Sequence, residues 1–211
     1  MAMKRRDFLT VVAAGSLLLS PGLQAQRYVA GRHYLEIFPR VQTGQPEGRV
    51  QVVEVFWYGC PHCYRFQPVL GTWLQNRPDR TVFTHLPAPF NDLWALHARV
   101  FYAAQALDWL PQVHLPFFDA IHAQGRNLTS ESAILRFIDQ QGLDADVFRD
   151  RMRSEEVAAA VHDAGLLVQA YQLEGVPALV INGRALLSPG MSGGYETMLQ
   201  IASALIAEYS R

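Results

Sequence analysis

The chain is 211 residues long, half of them hydrophobic and 18% charged, with 18 basic and 19 acidic side chains and a formal net charge of -1. That balance allows a packed core and excludes wholesale disorder, a basic stripe for nucleic acid and an acidic solvating tail. The length fits one domain, or one domain with a large insertion, and no internal repeat or low-complexity tract divides it.

Residues 1–25 read as a signal peptide. Lys4, Arg5 and Arg6 open it, an apolar stretch runs from Phe8 to Leu19, Pro21-Gly22 follows, and Ala25 is the expected cleavage point. The apolar stretch is short for a membrane span, which needs about 20 residues, so an uncleaved anchor is the lesser reading. RRDFL partly resembles the twin-arginine export motif, with Lys4 where Ser or Thr is usual and Thr10 where Lys is usual; Sec export stays open. Export implies an oxidising compartment, the periplasm, in which disulfides persist. The mature domain is then expected at 26–211.

Residues 26–50 form an irregular lead-in with a possible short strand at Tyr34–Phe38. Val50–Tyr58 is a continuous apolar, β-branched run, the pattern of a strand buried on both faces. Gly59 ends it, and Pro61 suits the first turn of a helix, where its missing N–H costs nothing. That helix is expected to reach about Asn76, kinked at Pro68, and Arg80–Leu86 reads as the next strand. Apolar residues then recur at helical spacing: Leu93, Leu96, Val100, Ala104 and Leu107; Ile134, Phe137 and Ile138; Val157, Val161, Ala164 and Val168. Asp92, Thr129 or Ser130, and Ser154 are expected N-caps, and Pro111, Pro116, Gly125 and Gly142 are expected separators. Ala178–Ile181 and Arg184–Leu187 flank Asn182-Gly183, a hairpin signal, and a last helix carries Tyr195, Met198, Leu199, Ala202, Leu205 and Ile206 on one face. Strand, helix, strand, helical block, hairpin, helix is an α/β order. A thioredoxin-like fold with an all-helical insertion at about 90–172 would produce it.

Cys60 and Cys63 are the only cysteines. A staple for a secreted domain usually involves several spaced pairs, and a loop this small restricts the unfolded chain little. The position points instead to redox chemistry. Cys60 falls between a strand and a helix start, where unpaired N–H groups and the helix dipole favour a thiolate. Cys63 lies one turn further in and is expected to be more buried, which makes Cys60 the exposed attacking sulfur and Cys63 the resolving one. His62 between them is expected to support the negative sulfur further. A stabilised thiolate favours the reduced protein and leaves quickly from a mixed disulfide, so the disulfide form would be a strong oxidant. A zinc site from Cys60, His62 and Cys63 lacks a second cysteine pair. A c-type haem attachment needs His directly after the second cysteine, where Tyr64 stands.

VEVFWYGCPHCYRF and EGVPALVING, placed on either side of a helical block, resemble the DsbA family of periplasmic thiol oxidases, and the resemblance covers essentially the whole mature chain. It implies no cofactor and no metal, a catalytic motif of Cys60, Pro61, His62 and Cys63, and a cis peptide bond at Val176-Pro177. On the residues alone, cis and trans stand even. The purpose of such a bond would be to hold the Val176 backbone open for an extended substrate strand. The resemblance also implies a buried acid at Glu54. Burial disfavours its charged form and leaves it able to take a proton when Cys63 must lose one. Some members pair that acid with a lysine on the next strand. Phe83 aligns there, and Lys4 is the only lysine. Glu54 is then either more often protonated or paired with His85. His33, His97, His114, His122 and His162 are scattered and expected to pack rather than ligate. Trp57, Tyr58, Tyr64 and Phe66 flank the site, and any left exposed would offer unfolded clients an apolar platform.

The expected protein is a monomeric oxidase that donates its disulfide to cysteine pairs of newly exported, partly folded proteins. The resemblance implies reoxidation by a membrane quinone reductase of the DsbB type. A disulfide isomerase or reductase is the rival enzyme, although isomerases of this kind add an N-terminal dimerisation domain for which 26–50 is too short. A chaperone-like binding module with an idle cysteine pair is the rival outside enzymes.

Overall fold

The computed structural model describes residues 28–211; the expected signal peptide and its cleavage point lie outside the described residues. Five strands form one sheet in the order β1-β5-β4-β2-β3. The strands are β1 (Leu35–Glu36), β2 (Val50–Phe56), β3 (Thr81–Pro87), β4 (Ala178–Ile181) and β5 (Ala185–Leu187). Only β2 and β3 run parallel; β2–β4, β4–β5 and β5–β1 are antiparallel. The inner strand β2 is buried on both faces, in keeping with its valine-rich run, which only Gln51 and Glu54 interrupt. Val50 and Val52 pack against the last helix, and Val53 and Val55 against the opposite layer.

Helix α1 (Pro61–Gln75) follows β2, and α2 (Asp92–Ala106), α3 (Leu110–His122), α4 (Glu131–Gln140), α5 (Ala145–Met152) and α6 (Glu155–Ala170) fill the interval between β3 and β4. A short α7 (Pro189–Ser192), absent from the sequence expectation, precedes α8 (Tyr195–Tyr209). The helical block is not a separate lobe. Phe101, Phe117, Phe118, Phe137 and Phe148 form one apolar cluster with Phe56, Tyr58 and Cys63. The cysteine pair thus sits on the seam between sheet and insertion.

Local chemistry accounts for the element ends, with some corrections. Asn91, not Asp92, caps α2, its side chain accepting from the Trp94 N–H; Asp92 lies in the first turn, where its charge suits the dipole. Ser130 caps α4 and Ser154 caps α6. Pro111 stands in the first turn of α3, but Pro116 lies inside that helix and separates nothing. Apolar contacts of Val113, Phe117 and Phe118 with the core outweigh the hydrogen bond that Pro116 removes. At the hairpin, Asn182 and Gly183 have φ of 52° and 62°. A Cβ on Gly183 would also collide with the Val41 carbonyl, which leaves glycine as the residue that fits. Arg184 belongs to this turn, so β5 starts one residue later than expected.

The α6 cap is an independent test of the local reading. Ser154 Oγ accepts from the Val157 N–H at 3.3 Å. Ser154→Ala should therefore lower stability by about 1 kcal/mol in urea unfolding, while Ser154→Gly loses only a few tenths.

Candidate active site

Cys60 is the N-cap of α1. Its backbone is extended, with φ -86° and ψ 115°, and Pro61 takes the first helical position. The Cys60 sulfur accepts the Cys63 backbone N–H at 3.4 Å, so the helix end directs a free donor at it. No acidic residue in the first turn opposes a negative sulfur. The Cys60 thiol is lowered from an ordinary 9.0 to about 6, first by the bond from the Cys63 side chain, against the opposing effect of burial. The backbone N–H groups of Cys63 and His62, and the His62 charge, add smaller contributions. Cys63 is fully buried, and burial first, then the adjacent Cys60 sulfur, pushes its thiol far up. One sulfur is held ready as an anion and the other is held neutral.

Cys60 is more covered than expected. Its exposure is 7%, because the segment before β4 folds over it. The Cys60 thiol lies 3.6 Å from the Val176 carbonyl oxygen, and the Val176-Pro177 bond is cis. A second cis bond, Phe38-Pro39, is found where none was expected. Val176 and Pro177 also line a groove of about 580 Å³ with Leu35, Ile37, Leu173 and Met191. His62 is exposed beside Cys60; its Nδ1 lies 2.9 Å from the Arg65 guanidinium, and its carbonyl accepts from the Tyr195 hydroxyl at 3.0 Å. Gly59 is required by close packing, since a Cβ there would run into the Trp57 ring. Of the four flanking aromatics, Tyr58 and Phe66 are core. Trp57 is half-buried and stacks on Trp94 at 4.2 Å, and Tyr64 is half-buried with its hydroxyl on Asp119.

Behind the cysteines lies a polar cluster that the sequence only partly announces. Glu54 is fully buried in β2. Parallel register sets His85 directly opposite it, and His85 Nδ1 lies 2.6 Å from Glu54 Oε2. Phe83, aligned with the lysine position, instead faces Val52. Gln67 donates to Glu54 Oε1 at 2.7 Å and reaches back to the Cys63 carbonyl at 3.5 Å. His114 lies beside His85, its ring tilted by 52° with ring centres 4.7 Å apart, and its Nδ1 bonds the Tyr58 hydroxyl at 2.9 Å. Burial, then the charge of His85, pushes His114 down to about 3. Gln67 and His114 escaped the sequence reading. Gln67 stands four residues after Cys63, hence on the same helix face, which is a legible signal. His114 had none, since it arrives from α3. Donor atoms of Glu54, His85 and His114 all lie within 4.8 Å of one another. Glu54 and His85 bond each other and His114 bonds Tyr58, so each of the three has a hydrogen-bond partner.

Comparison with known proteins agrees with this geometry. A family model described as a DSBA-like thioredoxin domain matches residues 94–205. The thiol:disulfide interchange protein DsbA of Azotobacter vinelandii is 37% identical over 209 residues, covering 97% of each chain. The corresponding Pseudomonas aeruginosa protein is 35% identical over 202 residues, covering 96% of this chain and 95% of the other. A crystal structure of Pseudomonas aeruginosa DsbA superposes with a TM-score of 0.81, covering 86% of this chain and 94% of that one. Oxidoreductase DsbA from Xylella fastidiosa, at 29% identity, gives 0.78 over 86% and 97%. With a low-lying Cys60 thiol at a helix start, a buried Cys63 and a cis Val176-Pro177 beside them on a thioredoxin-like sheet with a helical insertion, the chain belongs to the DsbA family of thiol:disulfide oxidoreductases.

Proposed function

We propose that this chain is an oxidase that hands the Cys60–Cys63 disulfide to cysteine pairs of exported proteins. The observation that carries the reading is the contrast between the two sulfurs: Cys60 lowered to about 6 and Cys63 pushed far up. A client thiolate attacks the Cys60 sulfur of the disulfide, a client–Cys60 bond forms, and the Cys60–Cys63 bond breaks. Cys63 leaves with the electron pair and takes a proton. The second client thiolate then attacks the client sulfur, closes the client disulfide and expels Cys60. Two electrons pass to the protein, and the client loses both thiol protons. Expulsion is fast because a low-lying thiol leaves readily.

The other residues divide the work. Pro61 and the start of α1 aim the N–H groups, and His62 adds positive character near the sulfur. Val176 and Pro177 dock the client as an extended segment along the groove, beside the exposed Leu35 and Phe38. Glu54, close enough for its charge to raise the Cys63 thiol, exchanges the Cys63 proton. Glu54→Gln should slow attack of Cys63 on a Cys60 mixed disulfide by about 100-fold, the usual scale of a positioned base. An unchanged single-turnover rate would remove Glu54 from the proton route.

The proposed setting is the periplasm, with residues 1–25 as a signal peptide removed after Ala25 and a single domain at 26–211. No helix among the described residues is long and apolar enough to cross a membrane. Reoxidation falls to a membrane quinone reductase of the DsbB type, and the protein works as a monomer. Oxidative refolding of a reduced client by the oxidised protein, with the redox equilibrium against glutathione, tests the whole reading. A protein that reduces or isomerises client disulfides but forms none would overturn it.

A further inference from the structure

Among the described residues, the imidazole of His85 joins the buried Glu54 carboxylate to the surface. The carboxylate is fully buried and its two oxygens are taken, one by the Gln67 amide and one by His85. An amide donates a hydrogen bond but carries no proton onward; an imidazole accepts at one nitrogen and releases at the other. The His85 side chain is 24% exposed, and its second ring nitrogen is not among the sealed, partnerless atoms of the interior. Solvent reaches the His85 ring, and the ring touches Glu54.

The surroundings keep this pair isolated. Phe56, Phe83 and Phe101 enclose the ring edge-on, at centre distances of 6.0, 4.9 and 5.9 Å. Glu54 from β2 and His114 from α3 are the titratable groups facing it, with Tyr58 behind His114 and Cys63 of α1 on the far side of Glu54. His114 is held neutral by burial and so adds no second positive charge. Tyr58, itself held in its neutral form, fixes the His114 ring against His85.

We propose that His85 passes protons between solvent and Glu54, so that the rate at which Cys63 resolves a mixed disulfide follows the charge on this ring. His85 acts through Glu54 and is a positioning and proton-passing residue. The inference rests on the exchange chemistry proposed above. His85 Nδ1 lies 2.6 Å from Glu54 Oε2, so a proton held there competes with the Cys63 proton for the carboxylate. When the ring loses its proton, the carboxylate becomes a better acceptor for the Cys63 proton. Resolution should then accelerate as rising pH removes the ring's proton.

The test uses the full chain carrying glutathione on Cys60, prepared in acid and jumped to higher pH, with glutathione release measured by quench and mass spectrometry. Cys60 is then bonded and cannot itself titrate. The native protein's release rate should show an inflection as pH rises. His85→Lys, whose ammonium keeps its charge through neutral pH, should lose the inflection. His85→Gln should lose it too and run about tenfold slower or more. Retention of the inflection in both variants overturns the inference. Failure of Cys60 to form the glutathione adduct at all would instead overturn the exchange chemistry. If the variants do not fold, imidazole NMR of the native adduct decides: His85 must titrate where the rate changes, and a separate midpoint overturns the inference.

Discussion

Cys60→Ser should reduce disulfide transfer to the level of uncatalysed exchange, and Cys63→Ser should let the first step proceed and stop there. The asymmetry follows from the placement of the two sulfurs. Only Cys60 sits at the mouth of the helix, beside Val176 and Pro177, with a thiol lowered to about 6. A serine hydroxyl in that place is neither nucleophile nor leaving group at neutral pH. With Cys63 replaced, Cys60 remains a thiolate, and a client or glutathione disulfide bonds to it without a partner to release it. Covalent adducts should therefore accumulate on Cys63→Ser and be absent from Cys60→Ser, as read by mass spectrometry under denaturing, acidified conditions. A binding module with an idle cysteine pair would show equal client binding in both variants and no adduct in either.

The second large effect is the pH dependence of stability in the reduced protein. The Cys60 thiol is lower in the folded chain than in the unfolded one, so folding is favoured by the thiolate above the unfolded value and the gain fades as pH falls through 6. The contribution should be near zero at pH 5, about 1 kcal/mol at pH 7 and about 3 kcal/mol near pH 8.5. Above the ordinary thiol range the trend reverses, because unfolding lets Cys63 ionise while burial forbids it in the fold. Urea unfolding of reduced and oxidised protein across that interval isolates the term, since other titrating groups act on both forms. The disulfide closes a loop too small to matter much to the unfolded chain. The quantity to follow is the change in the difference with pH. A difference that stays flat from pH 5 to 8.5 would falsify the thiolate argument and, with it, the preference for the reduced state that makes the disulfide form an oxidant.

Much of the architecture is legible because its causes are short-range. The valine-rich run at β2 announces burial on both faces, and the proline after Cys60 announces a helix start. Ser130 and Ser154 lie at their helix starts, and Asn182-Gly183 lies in its turn. The misread boundaries have local causes too. Asn and Asp side chains can both cap a helix, and the backbone path selects Asn91, with Asp92 left in the first turn. Pro116 looks like a breaker, but the insertion core tolerates it inside α3.

By itself, the sequence determined the strand–helix junction that places Cys60 on a helix end and Cys63 one turn deeper, because spacing and capping act within four or five residues. Tertiary structure alone decided what meets that junction. Parallel register put His85, 31 positions away, on Glu54. Packing of α3 delivered His114 to Tyr58 across 56 positions. The segment before β4 brought Val176 onto Cys60 across 116, which also left Cys60 more covered than its place in the chain suggests. Such meetings depend on how whole faces bury against one another, a sum over many distant contacts that no short window of residues contains.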